Sequence, residues 1–390
     1  MTTLEHIPTS GQSLSTATNG TPGYSLLTEA ANALLVDAIA GTLSPLQLAS
    51  TAAPQRPDLS MGYRVAQHAP SQRFGFSTHG QGGQSIAQLS KGGSSGRYEA
   101  AIACIAAARA VEVGAGGTFK VGPLHWIQGE ADQVGGTSIS TYLARLATLQ
   151  SDYTADIAAI SGQAGQLPLI MSQTATWAYY GSEARIGLAQ LQAARTMPNV
   201  YLVGGQYQFP YSDGLHLNRV GYYKLGELHA RAHNAIRDGA DWLPFAPRQI
   251  VVGAGSVVVR FNVPTGSLAF DTTVVAAQPN MGFSLSGTAA AITAVTITGV
   301  DEVTLTTSQP VVEPGASVSY GITSGTGPGL GNLRDSETMT SVYDGGPLAN
   351  WALHFNDDLF APAVAQTIWV ASDMYRFMES GGLQRLTLAP

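Results

Sequence analysis

The sequence is poor in charge and nearly free of cysteine. Charged residues make up 12% of its 390 residues, about half of the ~25% that is usual in globular proteins. Lysine occurs only three times and the net charge is −7 at pH 7, which argues against nucleic acid as the main partner. The single cysteine, Cys104, rules out an intramolecular disulfide. Its alanine-rich, apolar surroundings predict a small buried side chain.

Long hydrophobic runs are also missing. The sequence has no stretch of ~20 apolar residues, so we do not expect it to insert into a membrane. Its first residues lack the basic and apolar regions of a secretory signal peptide. We therefore expect a cytoplasmic protein, a component of a virion or other particle, or a fragment of a longer chain.

Glycine, by contrast, is abundant. The chain has 45 glycines, well above the usual ~7% of residues, which indicates many tight turns. A surface rich in small polar residues suits proteins that face sugars. The length of 390 residues is enough for two or three domains with a large core.

The first 245 residues alternate between helical and strand patterns. Alternation of this kind predicts a parallel sheet with helices on both faces, and ligands bind such sheets outside the carboxyl ends of the strands. The predicted strands include Leu167–Ser172 and Val200–Gly204, and a short apolar stretch, Phe119–Ile127, runs into Gln128. The predicted helices are Tyr98–Val113, Ser138–Ile160, Ala184–Arg195 and Arg219–Ile236.

The composition changes after Trp242. Residues 247–322 are rich in Val, Thr, Ser and Gly with period-2 stretches, which predict a small antiparallel β domain over residues 246–345. Residues 346–390 are expected to form a terminal strand over 351–355 and a tail, with the strand packing back on residues 1–245. We expect the β region to adjust substrate choice or assembly, because the chemical motifs all precede it.

Three short strings lie where predicted strands end: residues 11–13 (Gly-Gln-Ser), 128–130 (Gln-Gly-Glu) and 213–216 (Asp-Gly-Leu-His). A serine becomes a strong nucleophile when a base takes its proton and a third group orients that base. Asp213 and His216 are three residues apart and would share one face of a helical turn. In the order Ser…Asp…His, we predict Ser13 as nucleophile, His216 as base and Asp213 as its orienting carboxylate.

With these strings in place, the chain resembles the SGNH hydrolases, in the branch of sialate O-acetylesterase-like carbohydrate esterases. Residues 82–86 (Gly-Gly-Gln-Ser-Ile) resemble the second sequence block of that branch. Residues 126–132 (Trp-Ile-Gln-Gly-Glu-Ala-Asp) resemble its third block. The resemblance covers about residues 5–235 and implies a flavodoxin-like, three-layer α/β/α fold.

The resemblance also implies roles for particular residues. The backbone N–H groups of Ser13 and Gly83, with Gly82 as the alternative to Gly83, would hold an oxyanion. Gln128 would add a side-chain donor, and Glu130 would support it. No metal or organic cofactor is implied. The further candidates for substrate contact are Gln12, His79, Trp177 and Tyr179.

We therefore expect a serine esterase that removes acetyl groups from a carbohydrate through an acyl-enzyme. A lipase-like or thioesterase-like hydrolase is an alternative that a long apolar acyl groove would favour, and no sequence for one is evident. An inactive, glycan-binding adhesin on a hydrolase fold is another, against which the intact triad argues. The β region resembles, more loosely, accessory domains of phage tail-associated esterases, and a homo-oligomer is compatible with the sequence.

His229 and His233 are four residues apart in a predicted amphipathic helix. This spacing can hold a metal ion, but no third ligand follows at a suitable distance. We therefore expect both side chains on the solvated face of the helix and no metal site.

Overall fold

The computed structural model describes residues 3–20, 30–37, 41–46, 56–175, 184–322, 330–360, 368–370, 373–378 and 382–386. Among these, no helix is long and apolar enough to span a lipid bilayer.

A mostly parallel sheet forms the centre of the first part of the chain. Its strands are β1 (Thr3–Gly11), β2 (Ala33–Val36), β3 (Leu43–Pro45), β4 (Arg73–Thr78), β5 (Thr118–Val121), β6 (Leu124–Ile127), β7 (Leu169–Gln173) and β8 (Val200–Gly205). The order is β3-β2-β4-β1-β6-β7-β8, β5 also pairs with β1, and only the β2–β3 pair is antiparallel. Taken in chain order, β1, β4, β6, β7 and β8 have the flavodoxin-like arrangement 2-1-3-4-5. The predicted fold class is confirmed.

The helices are α1 (Pro57–His68), α2 (Ile86–Leu89), α3 (Arg97–Gly114), α4 (Glu130–Val134), α5 (Ile139–Ser161), α6 (Arg185–Thr196) and α7 (Arg219–Arg237). Each helix predicted from the sequence begins and ends within two residues of its expected bounds. Helix α5 shows why: Tyr142, Leu146, Leu149 and Tyr153 recur at helical spacing and are all buried. At its start, the hydroxyl of Ser138 accepts the Thr141 N–H at 3.1 Å, as an N-cap does.

The strands β1 and β6 meet unusually closely at their carboxyl ends. Gly11 pairs with Ile127 and has a φ of +142°, a conformation that side chains rarely allow. A Cβ at Gly11 would lie 2.0 Å from the Ile127 carbonyl oxygen. Glycine is therefore required here, and the turns that follow both strands are brought together.

The chain after residue 246, which we call the β region from here on, is antiparallel throughout its described strands. These are β9 (Pro247–Val252), β10 (Ser256–Phe261), β11 (Leu268–Phe270), β12 (Phe283–Ser286), β13 (Ile292–Ile297), β14 (Glu302–Thr307), β15 (Ser317–Tyr320), β16 (Leu333–Asp335), β17 (Phe355–Asp358), β18 (Ile368–Val370), β19 (Asp373–Met378) and β20 (Gly382–Leu386). They form the sheets β13-β14-β10-β9, β11-β16, β12-β15-β17 and β18-β19-β20. Because β17 pairs with β15, one sheet crosses the expected boundary at residue 345.

The strand predicted over 351–355 was wrong in its bounds. Trp351 makes an isolated bridge to Arg334, and the ladder begins only at Phe355. The segment is held by side chains of the first part instead. The Gln173 amide donates to the His354 carbonyl at 2.9 Å and accepts the His354 N–H at 2.8 Å. Two hydrogen bonds from Arg195, at 2.9 and 3.0 Å, fix Asp357.

The prediction for His229 and His233 was also wrong, because both side chains are buried rather than solvated. His125, on β6, lies between them. Its Nδ1 is 3.0 Å from His229 Nδ1, and its Nε2 is 3.3 Å from His233 Nδ1. Helix α7 packs against the sheet with this face, so the histidines form a buried polar contact between the two layers.

We predict that acid destabilises the fold through its buried histidines. Burial lowers the pKa of five of them: to about 3 for His6, His229 and His233, to about 4 for His79, and well below its usual value for His125. In the unfolded chain these groups titrate near 6.5. Their stabilisation is therefore complete above pH ~6.5 and is lost as the pH falls toward 3–4. Each proton taken up on unfolding lowers the unfolding free energy by ~1.4 kcal/mol per pH unit.

Urea unfolding between pH 7.5 and 4.5 measures this slope. Two buried carboxyl groups, Glu130 and Asp335, have raised pKa values because of burial and act in the opposite direction, but the five histidines outnumber them. A His68→Gln variant is the control, because this side chain is 41% exposed. An unfolding free energy that stays constant from pH 7.5 to 5 would contradict the prediction.

Candidate active site

Ser13 lies in a tight turn directly after β1. Its carbonyl oxygen accepts the N–H groups of Thr16 and Thr18, at 3.2 and 3.0 Å. Ala17 and Asn19 in the same turn have left-handed φ values of 57° and 60°. Such strained backbone occurs preferentially at functional sites. Ser13 is 5% exposed, and its hydroxyl makes no hydrogen bond to another described residue.

Asp213 and His216 form a hydrogen-bonded pair in the loop between β8 and α7. The Asp213 Oδ2 atom lies 3.0 Å from His216 Nδ1. Its Oδ1 accepts the backbone N–H groups of Leu215 and His216, at 2.7 and 2.6 Å. The residues thus meet through an Asx-type turn, not through the helical turn that the spacing suggested. With Nδ1 directed at the carboxylate, Nε2 of the ring is the nitrogen left to act as a base.

The charge on Asp213 is stabilised by its hydrogen bonds. Partial burial disfavours the charge, but bonds from His216, Leu215 and Asn19 outweigh it and hold the pKa of Asp213 well below its usual value. The carboxylate therefore stays ionised beside the imidazole and can stabilise an imidazolium.

Asn19 is a site residue that the sequence analysis missed. Its side-chain amide donates to Asp213 Oδ2 at 2.9 Å and lies 3.4 Å from His216 Nδ1. Asn19 thereby joins the nucleophile turn to the acid–base loop. The same turn is tied to α7, because the Tyr222 hydroxyl donates to the Thr18 carbonyl at 2.7 Å. The Asn-Gly pair at 19–20 signals a turn, but no local pattern identifies a partner 194 residues away.

The predicted oxyanion loop runs beside Ser13. Gln81 donates its N–H to the Gly11 carbonyl at 2.9 Å, and a Cβ at Gly82 would lie 3.7 Å from the Ser13 Cβ. Gly83 has a φ of +72°. The backbone N–H groups of Ser13 and Gly83 have no acceptor among the described residues, so both are available to a substrate.

Gln128, the expected side-chain donor, is buried next to this loop. One amide contact goes to Asp132 Oδ2 at 2.5 Å, while the contact to the Gln84 carbonyl is long, at 3.4 Å. The Tyr142 hydroxyl donates to its Oε1 at 3.0 Å. The amide is therefore held in one orientation. Its N–H that faces the Gln84 carbonyl makes only a weak hydrogen bond and can donate to another acceptor.

Gln12 and Glu130 are buried beneath the site. The Gln12 Oε1 atom accepts the N–H groups of Gly129 and Ala131, at 3.3 and 3.0 Å. This bonding fixes the start of α4 and replaces the substrate contact expected for Gln12. Glu130 accepts a hydrogen bond from Thr174 Oγ1 at 2.8 Å, and burial raises its pKa.

The other expected substrate contacts are not found in the described structure. His79 is 3% exposed, and its Nε2 lies 2.8 Å from Ser77 Oγ. The His79 ring is therefore buried and not exposed to a substrate. Trp177 and Tyr179 lie outside the described residues.

A metal site is absent from the described residues. No group of three or more His, Cys, Asp or Glu side chains there is arranged to hold a metal ion. In the histidine cluster, His125 uses a different nitrogen toward each partner, so the three rings do not converge on one point.

Comparison with protein families assigns the chain. A family of carbohydrate esterases, the sialic acid-specific acetylesterases, matches residues 40–235, which is half of the chain. The chain belongs to this family. It is a carbohydrate O-acetylesterase, and thus a carboxylic ester hydrolase. The match includes the Gly82–Ile86, Trp126–Asp132 and Asp213–His216 blocks, whereas Ser13 precedes it.

Solved structures resemble this esterase at low sequence identity. A carbohydrate acetylesterase from Xanthomonas citri superimposes with a TM-score of 0.58 and 15% identity, over 91% of this chain and 81% of that one. At this identity the likeness establishes the fold. A protein from Arabidopsis thaliana gives 0.46 and 21% over 59% and 97% of the two chains. A carbohydrate acetylesterase from Sinorhizobium meliloti gives 0.33 and 11% over 60% and 97%. No curated protein matches the sequence.

The bonding of Gln128 in this esterase leads to a prediction. Replacing Gln128 with Ala should lower kcat by about 100-fold with little change in KM, if its amide donates mainly in the transition state. It should also lower the Tm, because Asp132 and Tyr142 lose their partner. Tyr142→Phe is the control, since it removes the bond to Oε1 and leaves the Gln128 amide in place. If Gln128→Ala raises KM and leaves kcat unchanged, Gln128 positions substrate instead.

Proposed function

We propose that Ser13, His216 and Asp213 hydrolyse the acetyl ester through an acyl-enzyme. The observation that carries the proposal is the pairing of Asp213 Oδ2 with His216 Nδ1 at 3.0 Å, in a loop that Asn19 ties to the turn of Ser13. This pairing fixes the tautomer in which Nε2 is unprotonated. A serine, a base and an orienting carboxylate are then contributed by two loops at the same edge of the sheet.

In the first step, His216 Nε2 takes the proton of the Ser13 hydroxyl as Oγ attacks the acetyl carbonyl carbon. The tetrahedral intermediate collapses, the bond to the sugar oxygen breaks, and the imidazolium returns its proton to that oxygen. A water molecule then gives its proton to Nε2 and attacks the acetyl-serine. Acetate leaves, and Ser13 recovers its proton.

The oxyanion of each intermediate is held by N–H donors. We assign the backbone N–H groups of Ser13 and Gly83, which have no acceptor among the described residues, and the weakly engaged amide proton of Gln128. Removal of one such donor typically costs ~3–4 kcal/mol of transition-state stabilisation. Glu130 and Gln12 act indirectly, by fixing the turn that follows β6.

We predict that Ser13→Ala abolishes turnover and leaves the fold intact. Loss of a triad nucleophile can lower kcat by on the order of 10⁶-fold. The measurement is acetate release from p-nitrophenyl acetate and from an acetylated polysaccharide, with circular dichroism as the test of folding. Ser151→Ala, at an exposed position of α5, is the matched control. If the Ser13 variant kept a tenth of the parent rate, another residue would be the nucleophile.

We also predict that Asn19 positions the acid–base pair. Asn19→Gly removes the amide but tolerates the left-handed backbone, so kcat should fall about tenfold while KM stays within a factor of two. The kcat of Asn19→Ala should fall further, and this variant should also lose stability, because alanine is strained at the left-handed φ of this position. A kcat for Asn19→Gly equal to that of the parent enzyme would show that the amide contact is dispensable.

Two narrower hypotheses remain proposals. Residues 247–355 loosely resemble accessory domains of phage tail-associated esterases, which supports association with a phage tail. We propose that the esterase, as part of such a tail, acts on surface polysaccharide. A homo-oligomer is the second hypothesis. Light scattering coupled to size-exclusion chromatography tests it directly.

A further inference from the structure

A cleft of about 410 Å³ lies between the first part of the chain and the β region. One wall is formed by Tyr207–Pro210 and the first turns of α7, and the other by Val274–Ala276 and residues 344–351. Its volume falls within the range of small-molecule sites. The cleft is built jointly by the two parts of the chain, so it exists only when they are packed together.

The chemistry of the walls favours a neutral ligand. The lining combines polar and apolar surface and includes Tyr207 and Trp351, whose rings meet edge to face at 6.1 Å. Among the described residues that line it, one cation and one anion occur, Lys224 and Asp344, and they are paired with each other at 3.2 Å. Because these charges offset each other, the cleft offers no net charge to a phosphate or a carboxylate. Mixed aromatic and hydroxyl-binding surfaces suit sugar rings, whose faces are apolar and whose edges are polar.

Gln208 provides an independent sign of a ligand. It lines the cleft and is 9% exposed, yet both atoms of its side-chain amide are buried without a hydrogen-bond partner among the described residues. Buried polar groups are nearly always paired, so an unpaired amide needs an explanation. Four other buried glutamines around the site, Gln12, Gln128, Gln173 and Gln190, each make two or more bonds. Gln206 makes one, to Ser172 Oγ at 3.0 Å, and only its Oε1 is unpaired.

We propose that this cleft is a subsite for neutral sugar units of the substrate chain, beyond the unit that carries the acetyl ester. A planar amide can both donate to and accept from neighbouring sugar hydroxyls, and rotation of the Gln208 side chain toward the cleft would present both of its unpaired atoms. The proposal rests on the function proposed above, since it extends the same substrate along the surface.

The cleft is connected to the catalytic loop by covalent structure. Gln208 lies five residues before Asp213, and the Pro210 carbonyl accepts the Asn218 N–H at 3.0 Å, which closes the loop that holds Asp213 and His216. A sugar chain held against Tyr207–Pro210 is therefore held against the base of the loop that performs acid–base chemistry. The β region acquires a defined role, because it supplies the opposite wall.

The test is direct binding of sugars that carry no ester. The full chain is titrated, by NMR or calorimetry, with neutral hexamers of glucan, mannan and xylan, before and after Gln208→Leu. We expect at least one hexamer to bind and Gln208→Leu to weaken it about tenfold. Asp344→Asn, at the exposed rim, should also weaken it and serves if the first variant does not fold. Binding by none of the hexamers, or equal affinity in parent and variants, would overturn the proposal.

A stability measurement separates a binding role from a structural one. Gln208→Leu removes an amide that has no partner, so its Tm should equal or exceed that of the parent. Gln150→Leu is the matched control: its amide donates to the Leu167 carbonyl at 3.0 Å, and its Tm should fall by several degrees. A comparable fall in Gln208→Leu would mean that its amide supports the fold, and would overturn the assignment.

Catalytic assays distinguish failure of the subsite proposal from failure of the proposed triad. On acetylated hexamers, Gln208→Leu should raise KM at least five times more than it does on p-nitrophenyl acetate. If the parent enzyme binds the hexamers but hydrolyses neither ester, the triad proposal fails and the subsite stands. If it hydrolyses both esters and KM rises equally on both, the subsite proposal fails and the triad stands.

Discussion

The close contact between β1 and β6 is the constraint on which the site depends. At Gly11 the backbones approach so closely that a single Cβ would collide with the Ile127 carbonyl. The two strands flank the point at which a flavodoxin-like sheet reverses its winding, and crevices form there. The turn with Ser13 and the turn with Gln128 therefore leave the sheet side by side. Gln12 then fixes their relative position by accepting both N–H groups at the start of α4.

The scarcity of charge explains how the loops around this point are held. Several of the buried turns near the site are fixed by amide side chains. Gln190 donates to the Gln128 carbonyl at 2.7 Å and accepts the Thr174 N–H at 2.8 Å. An amide donates and accepts without adding charge, so it satisfies two backbone groups at little desolvation cost. These amide side chains therefore add no charge of their own near Asp213 and His216.

The sequence predicts local patterns well here and distant contacts poorly. Long helices such as α5 carry a single buried stripe, which periodicity detects. Helix α7 is different, because it is packed between the sheet and other segments and buries residues around most of its circumference. Its polar His229 and His233 therefore looked solvated. Asn19 and Gln12 were undetectable as site supports for another reason: their partners lie in segments more than a hundred residues away.

The β region is structurally part of the esterase even though the proposed triad precedes it. Gln173 ends β7, directly below the site, and its amide pairs with the backbone of His354 as a neighbouring strand would. Tyr207 donates its hydroxyl to the Ala352 carbonyl at 2.7 Å. Deleting residues after 242 would leave these buried groups unpaired and expose a continuous apolar core. Loss of activity on deletion would thus reflect damage to the carboxyl end of the sheet. Point substitutions in the cleft are needed to show what the β region contributes to substrate binding.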